Sequence, residues 1–264
     1  MSEVKQEKGT SLKDLGLKEL DLQDIEMGDM LYEGKAKKMF RTKDEKQLVV
    51  VYKDDATAFN GEKKGTIMGK GQVNCEMSAL LFRYLEASGI PTHLIASLTP
   101  GQMLVKAVTI LPVEVIVRNI ATGSLSKRLG AEEGKVLPHP ILEFCYKNDA
   151  LGDPLVNDDH ITALGWATKE QLAVIRTMAL RVNELLQPVM LKAGLRLVDF
   201  KLEFGLYGGE VILADEISPD TCRLWDTTTG KKLDKDRFRQ DLGQVEEAYE
   251  EVLKRLRQAV VVER

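Results

Sequence analysis

From Val198 to Phe204 the chain alternates with period two, placing Val198, Phe200, Leu202 and Phe204 on one face of a strand and Asp199, Lys201 and Glu203 on the other. Gly208-Gly209 then supplies a turn, and Val211-Ile212-Leu213-Ala214 is continuously apolar and ends directly in Asp215-Glu216. A buried strand that ends in carboxylates, paired with one carrying three ionisable groups on a single face, predicts a cleft. Glu203 and Asp215 are the hard-oxygen pair that Mg²⁺ takes, with water and phosphate completing its shell. Their convergence depends on the loop. Two residues at Gly208-Gly209 would oppose Glu203 to Ala214 and send Asp215 to the other face. Three residues, Gly208 to Glu210, would set Glu203 across from Asp215. The metal reading needs the second arrangement or an equivalent bulge, and that is the expected register.

Composition narrows the partners. The 264 residues are 44% hydrophobic and 30% charged, enough to bury a sizeable core in one large domain or two interlocked lobes. A formal charge of −4, from 37 basic and 41 acidic residues, offers no long-range attraction to a polyanion, so nucleic acid is not an expected partner. Phosphate binding must come from a few placed Lys and Arg side chains or backbone N–H groups. Cys75, Cys145 and Cys222 are odd in number and far apart, which excludes a disulfide framework and a CxxC knuckle and fits a reduced compartment. His93, His139 and His160 are scattered, so zinc chemistry drops out. No apolar run approaches the ~18 residues of a membrane span, and the first residues lack the apolar core of a secretory signal. A soluble, cytoplasmic protein is expected.

Residues 1–28 read as a polar extension with at most a short peripheral helix. A strand meander follows from Met30, including the β-branched run 48–52. Helical spacing covers 73–85, with Gly89 and Pro91 as the stop. Two β-rich runs, 103–110 and 113–121, are separated by a break at Leu111-Pro112. The stretch 122–165, rich in Gly, Pro, Asp and Asn, reads as exposed loop. Thr168-Lys169-Glu170-Gln171 has the form of a capping box and opens a helix that runs to Gly194. Asp234 caps a single final helix with a stripe of Phe238, Leu242, Val245, Tyr249, Val252 and Leu256. Early strands and late long helices indicate α+β, not a regular βαβ winding.

Several basic residues suit phosphate. Gly34-Lys35-Ala36-Lys37-Lys38 lies between two short strands and can fold over nucleotide phosphates, although it is not a Walker A loop. Lys106 is either a snorkelling edge residue or a nucleotide ligand. Arg118 and Ser124 can meet a phosphomonoester through a fork and a hydroxyl, and Arg223 can supply a second guanidinium; salt bridges to Glu114 or Asp226 are the alternatives. Together these residues point to ATP, Mg²⁺ and a second anionic substrate.

The residues Leu111-Pro112-Val113-Glu114-Val115-Ile116-Val117-Arg118-Asn119, with Gly123-Ser124 after them, and Leu197-Val198-Asp199-Phe200-Lys201-Leu202-Glu203-Phe204-Gly205 resemble the two signature segments of the SAICAR synthetase family. Gly34-Lys35-Ala36-Lys37, Lys147-Asn148-Asp149 before Asp153-Pro154, and Asp234-Lys235-Asp236-Arg237-Phe238-Arg239 are similar too. The likeness runs from 31 to 256, and the polar extension is the main departure. The resemblance implies an α+β fold of two lobes, distantly like protein kinases and ATP-grasp enzymes. A β-rich nucleotide-binding lobe would span 29–112 and a larger α+β lobe 113–264, with nucleotide in the cleft between them.

It also implies a ligase that joins carboxyaminoimidazole ribonucleotide to L-aspartate, converting ATP to ADP and phosphate, and working as a homodimer. Carried onto matching positions, Lys35, Ala36, Lys37 and Lys106 would hold ATP, and Glu203 and Asp215 would coordinate Mg²⁺. Arg118, Ser124 and Arg223 would grip the ribonucleotide. Lys147, Asp153, Asp199 and Lys201 would line the reacting region, with Asp199 as base or orienter for the amine and a structural partnership with Lys201 as its plainer role. A small-molecule kinase with the same cleft and a nucleotide-sensing module are the alternatives, and dependence on aspartate discriminates among them.

Overall fold

The computed structural model describes residues 25–58 and 63–260. Most of the expected polar extension, residues 1–24, lies outside the described residues. The N-terminal part is a five-stranded antiparallel sheet built from β1 (Met30–Glu33), β2 (Lys37–Arg41), β3 (Gln47–Tyr52), β6 (Leu94–Ser97) and β7 (Gln102–Lys106), in the order β1-β2-β3-β7-β6. A two-stranded ribbon, β4 (Asp55–Ala58) with β5 (Lys63–Thr66), lies beside it.

Helix α1 (Lys70–Ala87) contains the expected helical stretch and packs on the sheet, where Val50, Tyr52, Met103 and Val105 join its Met77, Leu81 and Leu85 in the core. The helix has no side-chain cap of its own. Instead the Asp54 carboxylate accepts from Gly69 N at 3.1 Å and Gly71 N at 2.8 Å. Gly71 is required by close approach, because a Cβ there would sit 2.8 Å from the Tyr52 carbonyl oxygen.

The second sheet has the order β10-β9-β8-β11-β12, with β13 (Cys222–Asp226) paired to the other end of β11 (Leu195–Tyr207). Its remaining strands are β8 (Thr109–Ile120), β9 (Val136–Tyr146), β10 (Leu155–Val156) and β12 (Glu210–Ala214). Two short helices, α2 (Gly123–Leu129) and α3 (Asp158–Ala163), lie between its strands in the chain. Helix α4 (Lys169–Lys192) packs on β11 and opens with the expected reciprocal box: Thr168 Oγ1 accepts from Gln171 N at 3.2 Å, and Gln171 Oε1 accepts from Thr168 N at 2.8 Å.

Three expectations change. The runs 103–110 and 113–121 are not separated at Leu111-Pro112; the break falls at 107–108, between β7 and β8. The second sheet begins at β8, which runs unbroken from Thr109 through Pro112, so the expected lobe boundary at 112/113 falls inside a strand. Pro112 fits because the ladder to β11 slips there: Glu203 pairs with Glu114, but Gly205 pairs with Ile110. The stretch 122–165 is not mainly loop. It contains the eleven-residue β9, whose Pro138 and Pro140 sit where the pairing with β8 jumps from Arg118↔Ile141 to Ile120↔Val136. The last helix is two, α5 (Asp236–Arg239) and α6 (Val245–Ala259), because Asp241, Gly243 and Gln244 all take positive φ and Leu242 faces solvent.

One apolar core runs through both sheets. Polar ties reinforce the join. The fully buried Lys70 of α1 donates to Asp220 at 2.8 Å, and Tyr249 of α6 donates to the other Asp220 oxygen at 2.8 Å. All three cysteines are buried and unpaired, and burial pushes the Cys75 thiol up to about 12 and Cys145 up to about 11. Among the described residues no helix is long and apolar enough to cross a membrane.

Candidate active site

The hairpin forms, but with the shorter turn. Tyr207 pairs with Glu210, so Gly208-Gly209 is a two-residue loop and Glu203 faces Ala214, which overturns the expected three-residue register. The backbone corrects the parity one residue later. Asp215 adopts φ 61°, a left-handed conformation that Asp tolerates better than most residues, and this kink returns its carboxylate to the side carrying Glu203. Lys201 Nζ donates to Glu203 and lies 3.7 Å from Asp215 Oδ2, so one ammonium touches both acids.

Cross-strand pairing assembles the rest of the face. Asp199 lies opposite Arg118 and Glu203 opposite Glu114, so one side of β8 and β11 carries five ionisable groups including Lys201. Glu114 accepts from Lys201 at 3.0 Å, and Lys147, just beyond β9, donates to Glu203. From the first sheet Lys37 reaches across to Asp215 Oδ1 at 2.5 Å and Glu216 Oε1 at 3.1 Å.

Burial alone would lower both lysine pKa values. The charges of Asp215 and Glu216 on Lys37, and of Glu203, Asp215 and Glu114 on Lys201, outweigh it and hold both well above the ordinary value. For Asp215 burial acts upward, but Lys37, Lys201 and Lys147 hold it well below the carboxylate range. Glu114 is raised, by burial first and by Glu203, against Lys201. Lys37, Lys201 and Asp215 therefore favour one another's charged forms.

A second cluster lies at the other end of the same face. The buried Arg118 donates from Nε to Glu143 at 2.8 Å, from Nη1 to Asp199 at 2.9 Å and from Nη2 to Ser124 Oγ at 2.9 Å. Arg223 donates from Nη1 to Asp199 at 2.9 Å and from Nε to Asp236 at 2.9 Å. Asp199 is thus clamped by two guanidiniums, and Lys201 is not its partner. The bridges considered for the arginines, to Glu114 and Asp226, are made instead to Glu143, Asp199 and Asp236. Gly123 lets the clamp close: it sits at φ 56°, and a Cβ there would be 2.8 Å from Arg223 Nη2.

The other expected residues spread around these clusters. Lys35 pairs with Asp149 at 2.5 Å on the exposed rim, and the Ala36 carbonyl accepts from Lys53 N at 2.8 Å. Lys106 donates to the Thr92 carbonyl at 2.8 Å and lies over the Tyr207 ring. Asp153, at φ 48°, accepts from Asn148 N at 2.9 Å and shapes the loop that follows Lys147. Of two cavities of about 430 and 680 Å³, the smaller is lined by Glu143 of the second cluster together with Leu155 and Arg176, and the larger by residues such as Pro138 and Leu191. The ion pairs themselves occupy the space between the carboxylates.

Beside Arg223, Asp234 is fully buried and accepts from Leu224 N at 2.8 Å and Asp236 N at 2.7 Å. Burial, and then the charge of Asp236, push its pKa up to about 7. A carboxyl raised on folding contributes stability that is complete below its unfolded pKa and is lost as pH rises through the folded value. Between about pH 5 and pH 8 wild type should therefore lose on the order of 2 kcal/mol more unfolding free energy than Asp234→Asn, measured by urea titration. Parallel pH profiles for the two proteins would refute the assignment.

The strands forming this face carry the stretches that resemble signature segments, and the family model for SAICAR synthetase matches residues 30–256. This chain belongs to the SAICAR synthetase family. The phosphoribosylaminoimidazole-succinocarboxamide synthase of Deinococcus deserti is 59% identical over 234 residues, covering 88% of this chain and 99% of that protein. The crystal structure of the same-named enzyme from Ehrlichia chaffeensis superposes with a TM-score of 0.85 at 46% identity, covering 88% of this chain and 100% of that one. A SAICAR synthetase in complex with ADP gives a TM-score of 0.83 at 49% identity, covering 85% and 96%.

As a SAICAR synthetase the chain is an ATP-dependent ligase of purine biosynthesis that condenses carboxyaminoimidazole ribonucleotide with L-aspartate. Sequence reasoning missed Glu143, Glu216 and Asp236 as site partners and treated Glu114 only as a possible salt bridge. Alternation along β8, which puts Glu114 and Arg118 on one side, was a signal for Glu114. Glu143 had none, because strand pairing brings it in, and Asp236 had only its place in a segment similar to the family's.

Proposed function

We propose that Glu203 and Asp215 hold Mg²⁺, that Lys35, Ala36, Lys37 and Lys106 hold ATP, and that Arg118, Ser124 and Arg223 grip the ribonucleotide phosphate. Lys147, Asp153 and Lys201 line the reacting region. The carrying observation is the single ammonium of Lys201 in contact with both acids, Glu203 being almost wholly buried. A cation already occupies the position between two hard oxygen donors, so the donor set fits Mg²⁺. Among the described residues no group of three or more His, Cys, Asp or Glu side chains is placed to hold a metal. Two carboxylates with water and nucleotide phosphate are a usual magnesium shell.

A carboxylate is a poor acyl donor, because its charge repels the amine and oxide is a hopeless leaving group. Phosphorylation removes both faults. Bound magnesium would neutralise charge on the transferred phosphoryl group. Lys37, Lys147 and Lys201, released from their carboxylates, would bind the phosphoryl oxygens as negative charge builds. Arg118 and Arg223 would fix the ribonucleotide so that its carboxylate meets the nucleotide. For Asp199 the double guanidinium clamp, with Arg118 Nη1 and Arg223 Nη1 both donating to its Oδ2, favours an orienting role.

The deciding experiment is ADP release measured with each cosubstrate omitted in turn. Release only when both the ribonucleotide and L-aspartate are present supports this reading. Release without aspartate would favour a kinase, and ATP binding without turnover a sensor. The same reading makes the protein a cytoplasmic homodimer, which sedimentation velocity checks.

A further inference from the structure

We infer that Glu143 is a positioning residue for recognition of the ribonucleotide phosphate: it locks the Arg118 guanidinium to the helix that carries Ser124. The inference rests on the reading of Arg118 as a phosphate ligand. β9 places Glu143 opposite Ile116 of β8, so its side chain leaves the sheet on the same side as Arg118, two residues further along β8.

The two oxygens of Glu143 have different partners. Oε2 accepts from Arg118 Nε at 2.8 Å, and Oε1 accepts from Arg128 Nη2 at 2.6 Å. Arg128 is in the last turn of α2, and Ser124 is in its first. Since Ser124 Oγ accepts from Arg118 Nη2 at 2.9 Å, the contacts close a ring from Glu143 through Arg118, Ser124, α2 and Arg128 back to Glu143.

The ring does what Asp199 cannot do alone. A guanidinium held only through its Nη atoms can still tilt about its long stem, whereas one held at Nε as well has its plane fixed. Of the five N–H groups of Arg118, three are used by Glu143, Asp199 and Ser124, which leaves one on each Nη for a phosphate oxygen. Glu143 also ties the Ser124 hydroxyl to that fork by anchoring the far end of α2. The carboxylate and Arg118 are largely buried, while Arg128 is about one-third exposed, so the bracket can be opened from its outer end without emptying the core.

The test compares turnover of carboxyaminoimidazole ribonucleotide with that of the corresponding nucleoside, which lacks the phosphate, in wild type and in Glu143→Gln, Arg128→Ala and Arg118→Ala. Glu143→Gln keeps the volume but is a weaker acceptor for two guanidiniums. It should raise KM for the ribonucleotide roughly tenfold, keep kcat within about twofold, and leave kcat/KM for the nucleoside unchanged. Arg128→Ala should shift the same parameter in the same direction by less, and it carries the test should Glu143→Gln fail to fold. An equal fall in kcat/KM for both substrates would mean a merely structural role and overturn the inference. An unchanged ribonucleotide KM in Glu143→Gln, with a raised one in Arg118→Ala, would overturn it while sparing the phosphate reading. An unchanged KM in Arg118→Ala would sink both.

Discussion

Glu203→Gln is expected to lower kcat at saturating Mg²⁺ by about a hundredfold to a thousandfold while costing only a few degrees of thermal stability. The side chain is almost wholly buried and accepts from Lys147 and Lys201, so the amide keeps its volume and one acceptor but removes the charge. Neither lysine is stranded. Lys147 is nearly half exposed and can turn to solvent, and Lys201 keeps Glu114 at 3.0 Å and Asp215 at 3.7 Å. The stability loss should accordingly fall below the roughly 3–5 kcal/mol typical of breaking a buried pair. Turnover has no such substitute, because the proposed metal shell loses one of its two protein carboxylates. Steady-state kinetics across a magnesium titration, with a thermal melt of the same preparation, separates the two effects. A kcat within about threefold of wild type at saturating metal would end the metal assignment. A collapse of the melting temperature with kcat preserved in the folded fraction would make Glu203 structural.

What could be read from the residues depended on whether the decisive interaction was local. The capping box at Thr168 and Gln171 lies within one helical turn, and both of its hydrogen bonds form. The charged face of β11 follows from alternation, which any strand obeys. The turn at Gly208-Gly209 was legible too, but its register was not, because the choice lies in one backbone angle at Asp215 and a left-handed Asp has no spelling of its own. The hairpin does need a device beyond its two-residue turn to bring Glu203 and Asp215 together, and the left-handed Asp215 takes the place of the expected third loop residue or bulge. β9 was hidden for a different reason. Two prolines and a neighbouring glycine mark a loop in isolation, and only an irregular ladder against β8 turns that segment into a strand. Besides Asp199, the carboxylates holding Arg118 and Arg223 come from β9 and from the short helix α5, so topology supplies them and local pattern does not.

Asp199→Asn is expected to be the more damaging change to the folded state. Asp199 is buried, and its Oδ2 accepts from Arg118 Nη1 and Arg223 Nη1, each at 2.9 Å. An asparagine placed there has one acceptor oxygen for two guanidiniums and no charge, and it can turn an N–H₂ toward a cation. Arg118 retains Glu143 and Arg223 retains Asp236, so the arginines stay neutralised in part. Their mutual repulsion across the gap loses its shield. A loss of about 3 kcal/mol is expected, which for a chain of this length lowers the melting temperature by roughly 6–12 °C. The same loosening should raise KM for the ribonucleotide at least about tenfold, with a smaller change in kcat, because both proposed phosphate ligands lose their shared anchor. Urea titration and kinetics on one preparation check both numbers. Were Asp199 instead the base for the aspartate amine, kcat would fall steeply with KM little changed, and that pattern would replace the anchoring role argued here.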